Sequence, residues 1–165
     1  MSDPSIARYR RWLDYERDAH AKVLASLDTV PADRRGGPEF RKAVALLGHV
    51  VAARRVWLGR LGAAPPAAGP LFPADPDLGQ VAAEWATVAA TWTDYLASLS
   101  DADLDRVFEY QSLDAGRFRN RVDDIFAQLF GHSSYHRGQI AVLVRAAGGQ
   151  PAMTDLVYWC REPVG

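Results

Sequence analysis

The sequence predicts an all-α protein, a four-helix bundle with a long crossover between its second and third helices. Apolar residues recur at steps of three or four along four long segments, which is the spacing of a buried helix face. Between the second and third segments, residues 62–79 contain five prolines, and a link this long is not a tight turn between neighbouring helices. We expect residues 1–165 to form a single bundle domain with its site in the core.

The first helix is predicted to start at Asp3-Pro4, where an N-cap residue precedes a proline at the first helical position. Pro31 and the polar stretch that follows it end the helix. The buried face is predicted to consist of Tyr9, Leu13, Glu16, His20, Val23 and Leu27.

The second helix is predicted to run from Pro38 to about Leu61, and its middle is apolar on nearly every side, which implies burial on more than one face. Asp77 and Gln80 form a predicted capping pair at the start of the third helix. The seam of that helix, more typical of core than of cofactor stacking, is Val81, Trp85, Val88, Trp92, Tyr95 and Leu99.

A short hairpin is predicted before the fourth helix. "RVFEY" is rich in aromatic and β-branched residues, and "RFR" follows a turn at Asp114-Ala115-Gly116. Asn120, together with Asp123, is predicted to cap the fourth helix.

The fourth helix is expected to continue to about Ala147, where Gly148-Gly149 ends it. A short final helix is predicted from about Thr154 to Arg161.

Composition excludes several functional classes. A net charge of −1 and a pI near 6.4 give no electrostatic basis for binding nucleic acid or an anionic membrane. A single cysteine, Cys160, excludes an internal disulfide and a cysteine-rich metal site. The N-terminal residues lack the apolar core of a signal peptide, and no apolar run is long enough to span a bilayer, so we expect a cytoplasmic protein.

Three of the four histidines occupy inward positions of two helices. His132 and His136 lie in "GHSSYHRGQI" on the seam of the fourth helix, and four residues is the spacing that places two side chains on one face. Alone, this pair is compatible with hydrogen-bonded core histidines as well as with metal ligands. His49, in the apolar middle of the second helix, favours a shared purpose, because burying three unpartnered imidazoles is costly.

Three histidines with one open coordination position suit a catalytic metal, which lowers the pKa of a bound water or thiol. Ser133 follows His132 directly, so the His-Glu-x-x-His arrangement of metalloproteases is excluded. Gly138, unfavourable inside a helix, is expected to allow a close backbone approach beside the site.

His20 lies on the seam of the first helix and could be a fourth ligand, a general base, a residue that supports a ligand, or simply a core histidine. Glu16, one turn earlier, could orient an imidazole or be solvated at the edge of the bundle. Tyr135 or Arg137 could hold an anionic group of a substrate, although Arg137 could equally lie on the helix surface.

The chain resembles the DinB/YfiT-like family of metalloenzymes over essentially its whole length. The strongest match is "HSSYHRGQIAVLVRAAGGQPAMTDLVYW", which is similar to that family's His-x-x-x-His-Arg-Gly-Gln helix followed by a glycine turn, a proline and an Asp-led helix. "LLGHVVAARRVWLGRL" resembles the family's second helix, with one histidine and, eight residues later, Trp57.

The resemblance implies a DinB-like four-helix bundle, often homodimeric, with a zinc or nickel ion bound by His49, His132 and His136. It also implies relatives that transfer low-molecular-weight thiols such as bacillithiol or mycothiol. Two positions depart from the family pattern. Arg54 stands where many members have an acidic residue, and Tyr135 stands where many have a further histidine.

Three functions therefore remain open. The first is a metal-dependent enzyme that transfers a small thiol to an electrophilic small-molecule substrate, with His20 and Tyr135 as candidate catalytic residues. The second is a metal-dependent hydrolase. The third is a non-catalytic helical dimer, stapled by metal, with a stress-response role.

Overall fold

The protein is a four-helix bundle in a computed structural model that describes residues 5–114 and 116–164. The long helices are α1 (Ile6–Asp28), α2 (Pro38–Arg60), α3 (Leu78–Ser98) and α5 (Val122–Ala146). The short elements are α4 (Asp101–Leu104), the strands β1 (Val107–Gln111) and β2 (Arg117–Arg121), and α6 (Leu156–Cys160). The predicted bundle, crossover, hairpin and short final helix are confirmed, whereas α4 was not predicted.

Each of α1 and α2 packs against both α3 and α5, while α1 and α2 touch each other little. These two helices therefore occupy diagonally opposite corners of the bundle. The apolar faces predicted from the spacing form the core, which includes Leu13 and Leu27 of α1, Trp92 of α3 and Ile140 of α5. No helix in the described part of the chain is both long and apolar enough to cross a bilayer.

The helix ends agree with the sequence in part. α1 begins at Ile6, and Ser5 is its N-cap, whose hydroxyl accepts a hydrogen bond from the backbone N–H of Ala7. The predicted start at Asp3-Pro4 lies outside the described residues. Asp77 caps α3 as predicted, because its carboxylate accepts from the N–H of Gln80 at 3.0 Å.

Asn120 is not the cap of α5, contrary to the prediction. It belongs to β2, where its side-chain oxygen accepts from the Tyr110 hydroxyl at 2.9 Å. The antiparallel ladder continues to the pair of Val107 with Arg121, so the chain passes directly from β2 into the helix and Arg121 takes the N-cap position. Of the predicted turn between the strands, Ala115 lies outside the described residues.

The end of α5 is as predicted. Gly148 has a φ of +86°, a left-handed conformation that residues with a Cβ adopt only with strain. The N–H of Gly149 then reaches back to the carbonyl oxygen of Val144 at 2.9 Å, the bond that closes a glycine-ended helix.

The crossover between α2 and α3 packs closely against α2. A Cβ on Gly48 would lie 2.9 Å from Cγ of Pro73, and one on Gly59 would lie 3.1 Å from the carbonyl oxygen of Pro65. Two glycines of α2 therefore allow the proline-rich segment to approach the helix, and the segment passes beside His49, which lies next to Gly48 in the sequence.

Candidate metal centre

Three histidines converge where α2 packs against α5. His49 comes from α2, and His132 and His136 come from successive turns of α5. The Nε2 atom of His132 lies 3.1 Å from Nε2 of His49 and 3.1 Å from Nε2 of His136. His49 and His136 are 5% and 9% exposed, and His132 is half-buried. The predicted trio is therefore brought together.

Hydrogen bonds to the outer ring nitrogens orient two of these imidazoles. Nδ1 of His49 donates to the carbonyl oxygen of Leu71 at 2.9 Å, and Nδ1 of His136 donates to the side-chain oxygen of Gln139 at 2.7 Å. The amide nitrogen of Gln139 in turn donates to the Tyr135 hydroxyl at 3.2 Å. Because Nδ1 carries the proton in both rings, the Nε2 lone pairs of His49 and His136 face the centre of the group.

The arrangement of the three Nε2 atoms suits coordination of a divalent cation better than hydrogen bonding among the imidazoles. His132 can donate a single N–H to one of its two neighbours. At the other contact, two nitrogen lone pairs face each other at 3.1 Å with no proton between them. Nitrogen ligands at tetrahedral zinc lie roughly 3.3 Å apart, given a bond length near 2.05 Å. The three ligand nitrogens all lie within 4.8 Å of one another, so the group could hold a metal ion.

Two of the imidazoles, those of His49 and His132, are kept in the neutral form that binds metal. Burial lowers the pKa of His49, and the neighbouring His136 adds to this effect. Burial, followed by His136 and His49, lowers the pKa of His132 to about 4. These rings are therefore available as ligands at neutral pH without first losing a proton.

The crossover supplies two contacts that the sequence did not predict. Leu71 provides the carbonyl that orients His49, and the Phe72 ring stacks on His49 with centroids 4.0 Å apart and planes 8° from parallel. A backbone carbonyl carries no sequence signal. The length of the crossover was the one available sign that this segment passes over another part of the bundle.

A cavity of about 270 Å³ opens beside His49 and His132. Its polar residues besides the histidines are Arg60, the last residue of α2, and Gln128 of α5. Its apolar walls come from Ala53, Val56, Trp57, Leu71, Leu113 and Leu129. The cavity has room for a small organic molecule next to the histidine nitrogens, and Arg60 was not among the residues that the sequence singled out.

A larger cavity, of about 450 Å³, lies on another face of α5 and includes Gly131 and Gly138 in its lining. A Cβ added at Gly138 would meet nothing within 4 Å. The predicted close approach at Gly138 is therefore wrong, because this residue faces open space between α5, α1 and the C-terminal segment. None of the three histidines lines this larger cavity.

A buried cluster of charged side chains lies next to the histidines. Glu16 is fully buried, 2.5 Å from Nη2 of Arg54, and its other oxygen is 3.9 Å from Nη1 of Arg137. The sequence left a solvated Glu16 and a surface Arg137 open as alternatives, and both are excluded, since Glu16 is 0% and Arg137 3% exposed. Burial alone would raise the pKa of Glu16, but Arg54 and other neighbours outweigh it and lower the pKa below its usual value.

The two candidate catalytic residues lie in different surroundings. The His20 ring is fully buried and packs edge-on against Trp85, with centroids 4.2 Å apart. Neither of its nitrogens has a hydrogen-bond partner among the described residues. Tyr135 is 65% exposed and reaches the site indirectly, through Gln139 and through an edge-on contact with the His136 ring.

The fold and the site define a class of protein, a helical bundle with three inward histidines able to bind a metal. The family model of the DinB superfamily matches residues 12–140, so the chain belongs to that superfamily. No significant match was found among curated proteins or among solved structures.

We predict that Glu16→Gln lowers the free energy of unfolding by about 3–5 kcal/mol, because it leaves two buried guanidinium groups without a counter-charge. Urea denaturation of the metal-free protein measures the change. Asp18→Asn, on the same helix, is the control and should cost less than about 1 kcal/mol, since Asp18 pairs with Lys22 at the surface. Equal effects of the two substitutions would contradict the prediction.

A second prediction concerns pH. Burial, with a smaller effect of Arg137 and Arg54, lowers the pKa of His20 to about 4, although Glu16 acts in the opposite direction. Between about pH 6.5 and pH 4, the unfolded chain therefore binds more protons at His20 than the folded protein does. The free energy of unfolding falls for this reason as the pH falls through that window.

His20→Leu should remove this part of the pH dependence. In metal-free protein, the free energy of unfolding of the native chain should fall relative to that of the variant by on the order of 3 kcal/mol across the window. Parallel pH profiles for the two proteins would show that His20 titrates normally in the folded state.

Proposed function

We propose that the protein is a divalent-metal-dependent enzyme that transfers a low-molecular-weight thiol to a small electrophilic substrate. The observation that carries the proposal is the convergence of three Nε2 atoms, two of them oriented by hydrogen bonds at Nδ1, beside an open cavity. Membership of the DinB superfamily supports a metal at this position. A site that merely staples helices together has no need of an adjoining cavity.

In this proposal His49, His132 and His136 hold the metal. A divalent ion bound there supplies a Lewis acid that lowers the pKa of a thiol or a water. The Leu71 carbonyl and the Gln139 side chain keep the imidazoles in register, and such partners are worth roughly 10–100-fold in metal affinity. The apolar walls of the cavity exclude water from the reacting groups.

The sequence suggested catalytic roles for His20 and Tyr135, and the proposal gives both residues supporting roles instead. Tyr135 is proposed to act through Gln139, as a residue that fixes the His136 ring. His20 is fully buried against Trp85, a position that favours a supporting role in the core over a direct catalytic one.

Zinc or nickel is the proposed metal, because imidazole nitrogens suit both. We further propose that residues 1–165 form one domain and that the chain acts as a cytoplasmic homodimer, on the strength of the family resemblance.

We predict that the purified protein contains one divalent metal ion per chain and that His49→Ala or His136→Ala abolishes stoichiometric binding. Each substitution removes one of three nitrogen ligands. Elemental analysis by mass spectrometry after dialysis measures the metal content. His20→Leu is the matched control and should retain the metal. Unchanged stoichiometric metal in either alanine variant would refute the site.

Thiol dependence is the second functional prediction. Titration of bacillithiol, mycothiol, cysteine or glutathione into cobalt-substituted protein should change the visible spectrum, because a thiol that reaches the metal alters its ligand field. An electrophilic substrate should then consume the thiol in equal amount.

The two other functions give different results in this experiment. Turnover of esters without added thiol would replace the proposal with a metal-dependent hydrolase. A sharp fall in melting temperature on metal removal, with no thiol changing the spectrum, would replace it with a non-catalytic metal staple, for which a stress-response role is the remaining expectation.

A further inference from the structure

Arg60 shares a cavity with two of the candidate metal ligands. His49, Ala53, Trp57 and Arg60 follow one another at steps of three or four on α2, and all four line the cavity of about 270 Å³. Arg60 lies eleven positions after His49 on the helix, a rise of roughly 16 Å along the axis. The cavity thus extends along three turns of α2, with the histidines near one end of this stripe and a guanidinium at the other.

The hairpin holds the Arg60 guanidinium in place. Its central carbon lies 4.7 Å from the ring centroid of Trp57 and 5.0 Å from that of Tyr110, a residue of β1. Nη2 donates to the backbone oxygen of Gln111 at 3.1 Å, also in β1. Two aromatic rings and one carbonyl therefore restrict the side chain before any ligand arrives, which reduces the entropy lost on binding.

The Arg60 guanidinium has no counter-charge among the described residues. Among residues 5–114 and 116–164, no ion pair includes Arg60, whereas its neighbour on α2, Arg55, pairs with Glu84 at 3.3 Å. The cavity walls contribute no carboxylate either, since Gln128 is the other polar residue besides the histidines. A half-buried guanidinium with free N–H groups and no acidic partner is suited to an anion from outside the chain.

We infer that Arg60 is an anion-binding residue of this cavity and that the substrate is a small carboxylic acid with an apolar body. The planar fork of Arg60 matches a carboxylate, and the aliphatic and aromatic walls between Arg60 and His49 match the apolar part. The assignment of this acid as a substrate rests on the proposed function; its binding by Arg60 does not.

Isothermal titration of metal-free protein at pH 7.5 tests the inference, with 3-phenylpropionate as the probe and its uncharged amide as the comparison. Removing the metal leaves Arg60, the arginine that lines the cavity, as the expected source of preference for the acid. We expect the acid to bind about tenfold or more tightly than the amide. Equal affinities would overturn the inference.

Substitutions locate the interaction. Arg60→Gln should reduce the affinity for the acid to that of the amide and leave the amide unaffected, and Arg60→Lys, which keeps the charge but loses the fork, should fall between the two. Arg55→Gln removes the same charge from the same helix outside the cavity and should change neither affinity. Unchanged binding of the acid in Arg60→Gln would overturn the inference, as would an equal loss in Arg55→Gln.

The metal content of Arg60→Gln separates this inference from the proposed function. It should match that of the native protein, because Arg60 contacts none of the three histidines. If native protein lacks stoichiometric metal but binds the acid through Arg60, the metal enzyme fails and the anion site stands. If metal and thiol behave as proposed but the acid does not depend on Arg60, the anion site alone fails.

Discussion

The position of the histidine group depends on the buried ion pair between Glu16 and Arg54. These residues belong to α1 and α2, the diagonally opposite helices that otherwise touch each other little. Arg54 also packs over the Phe130 ring of α5 at 4.4 Å, and its carbonyl oxygen accepts from the Trp92 indole N–H of α3 at 3.2 Å. One residue of α2 thus contacts all three other long helices. It lies five positions after His49 and sets where that imidazole meets His132.

Burying the Glu16–Arg54 ion pair costs free energy. Two charges removed from water cost several kcal/mol each, and their attraction offsets that cost only when the geometry is good and the remaining polar atoms are satisfied. The pair therefore acts less as a source of stability than as a constraint on register, since any sliding of α2 would leave a buried charge alone. Glu16 on α1 thus supplies the carboxylate that allows an arginine to be buried at position 54 of α2.

Much of the fold and the core of the site could be predicted, because both depend on local spacing. His132 and His136 continue the steps of Ile125 and Leu129, so one pattern predicts the buried face and the ligand pair together. His49 was found in the same way, from the apolar turns around it. What the sequence could not predict depends on contacts between distant segments. The Leu71 carbonyl reaches His49 only because the crossover folds back, and Asn120 lost its capping role because β2 pairs through Arg121.

The hardest properties to predict were the surroundings of charged and small residues. The sequence left open whether Glu16 and Arg137 are solvated; both are buried, because Arg54 is buried with them and the opposite charges lie together. Gly138 looked like a point of close packing, yet the space beside it is open, because α1 and the C-terminal segment stand away from that face of α5. Periodicity identifies the buried side of a helix, but it carries no information on which partner faces each residue.

The buried charged cluster of Glu16, Arg54 and Arg137 affects the electrostatic potential at the histidine site. Arg54 and Arg137 share a single carboxylate, Glu16, and the low pKa of His20 keeps that neighbour neutral, so the buried cluster carries a net positive charge. Arg60 adds a further cation on the cavity side. A divalent ion at the histidines increases the positive potential further. Coulomb attraction is poorly screened in such a half-buried site, so the ligands that gain most are anions. A thiolate and a carboxylate both meet that condition, and a neutral substrate bound by apolar contacts alone would leave the positive charge of this cavity without a partner.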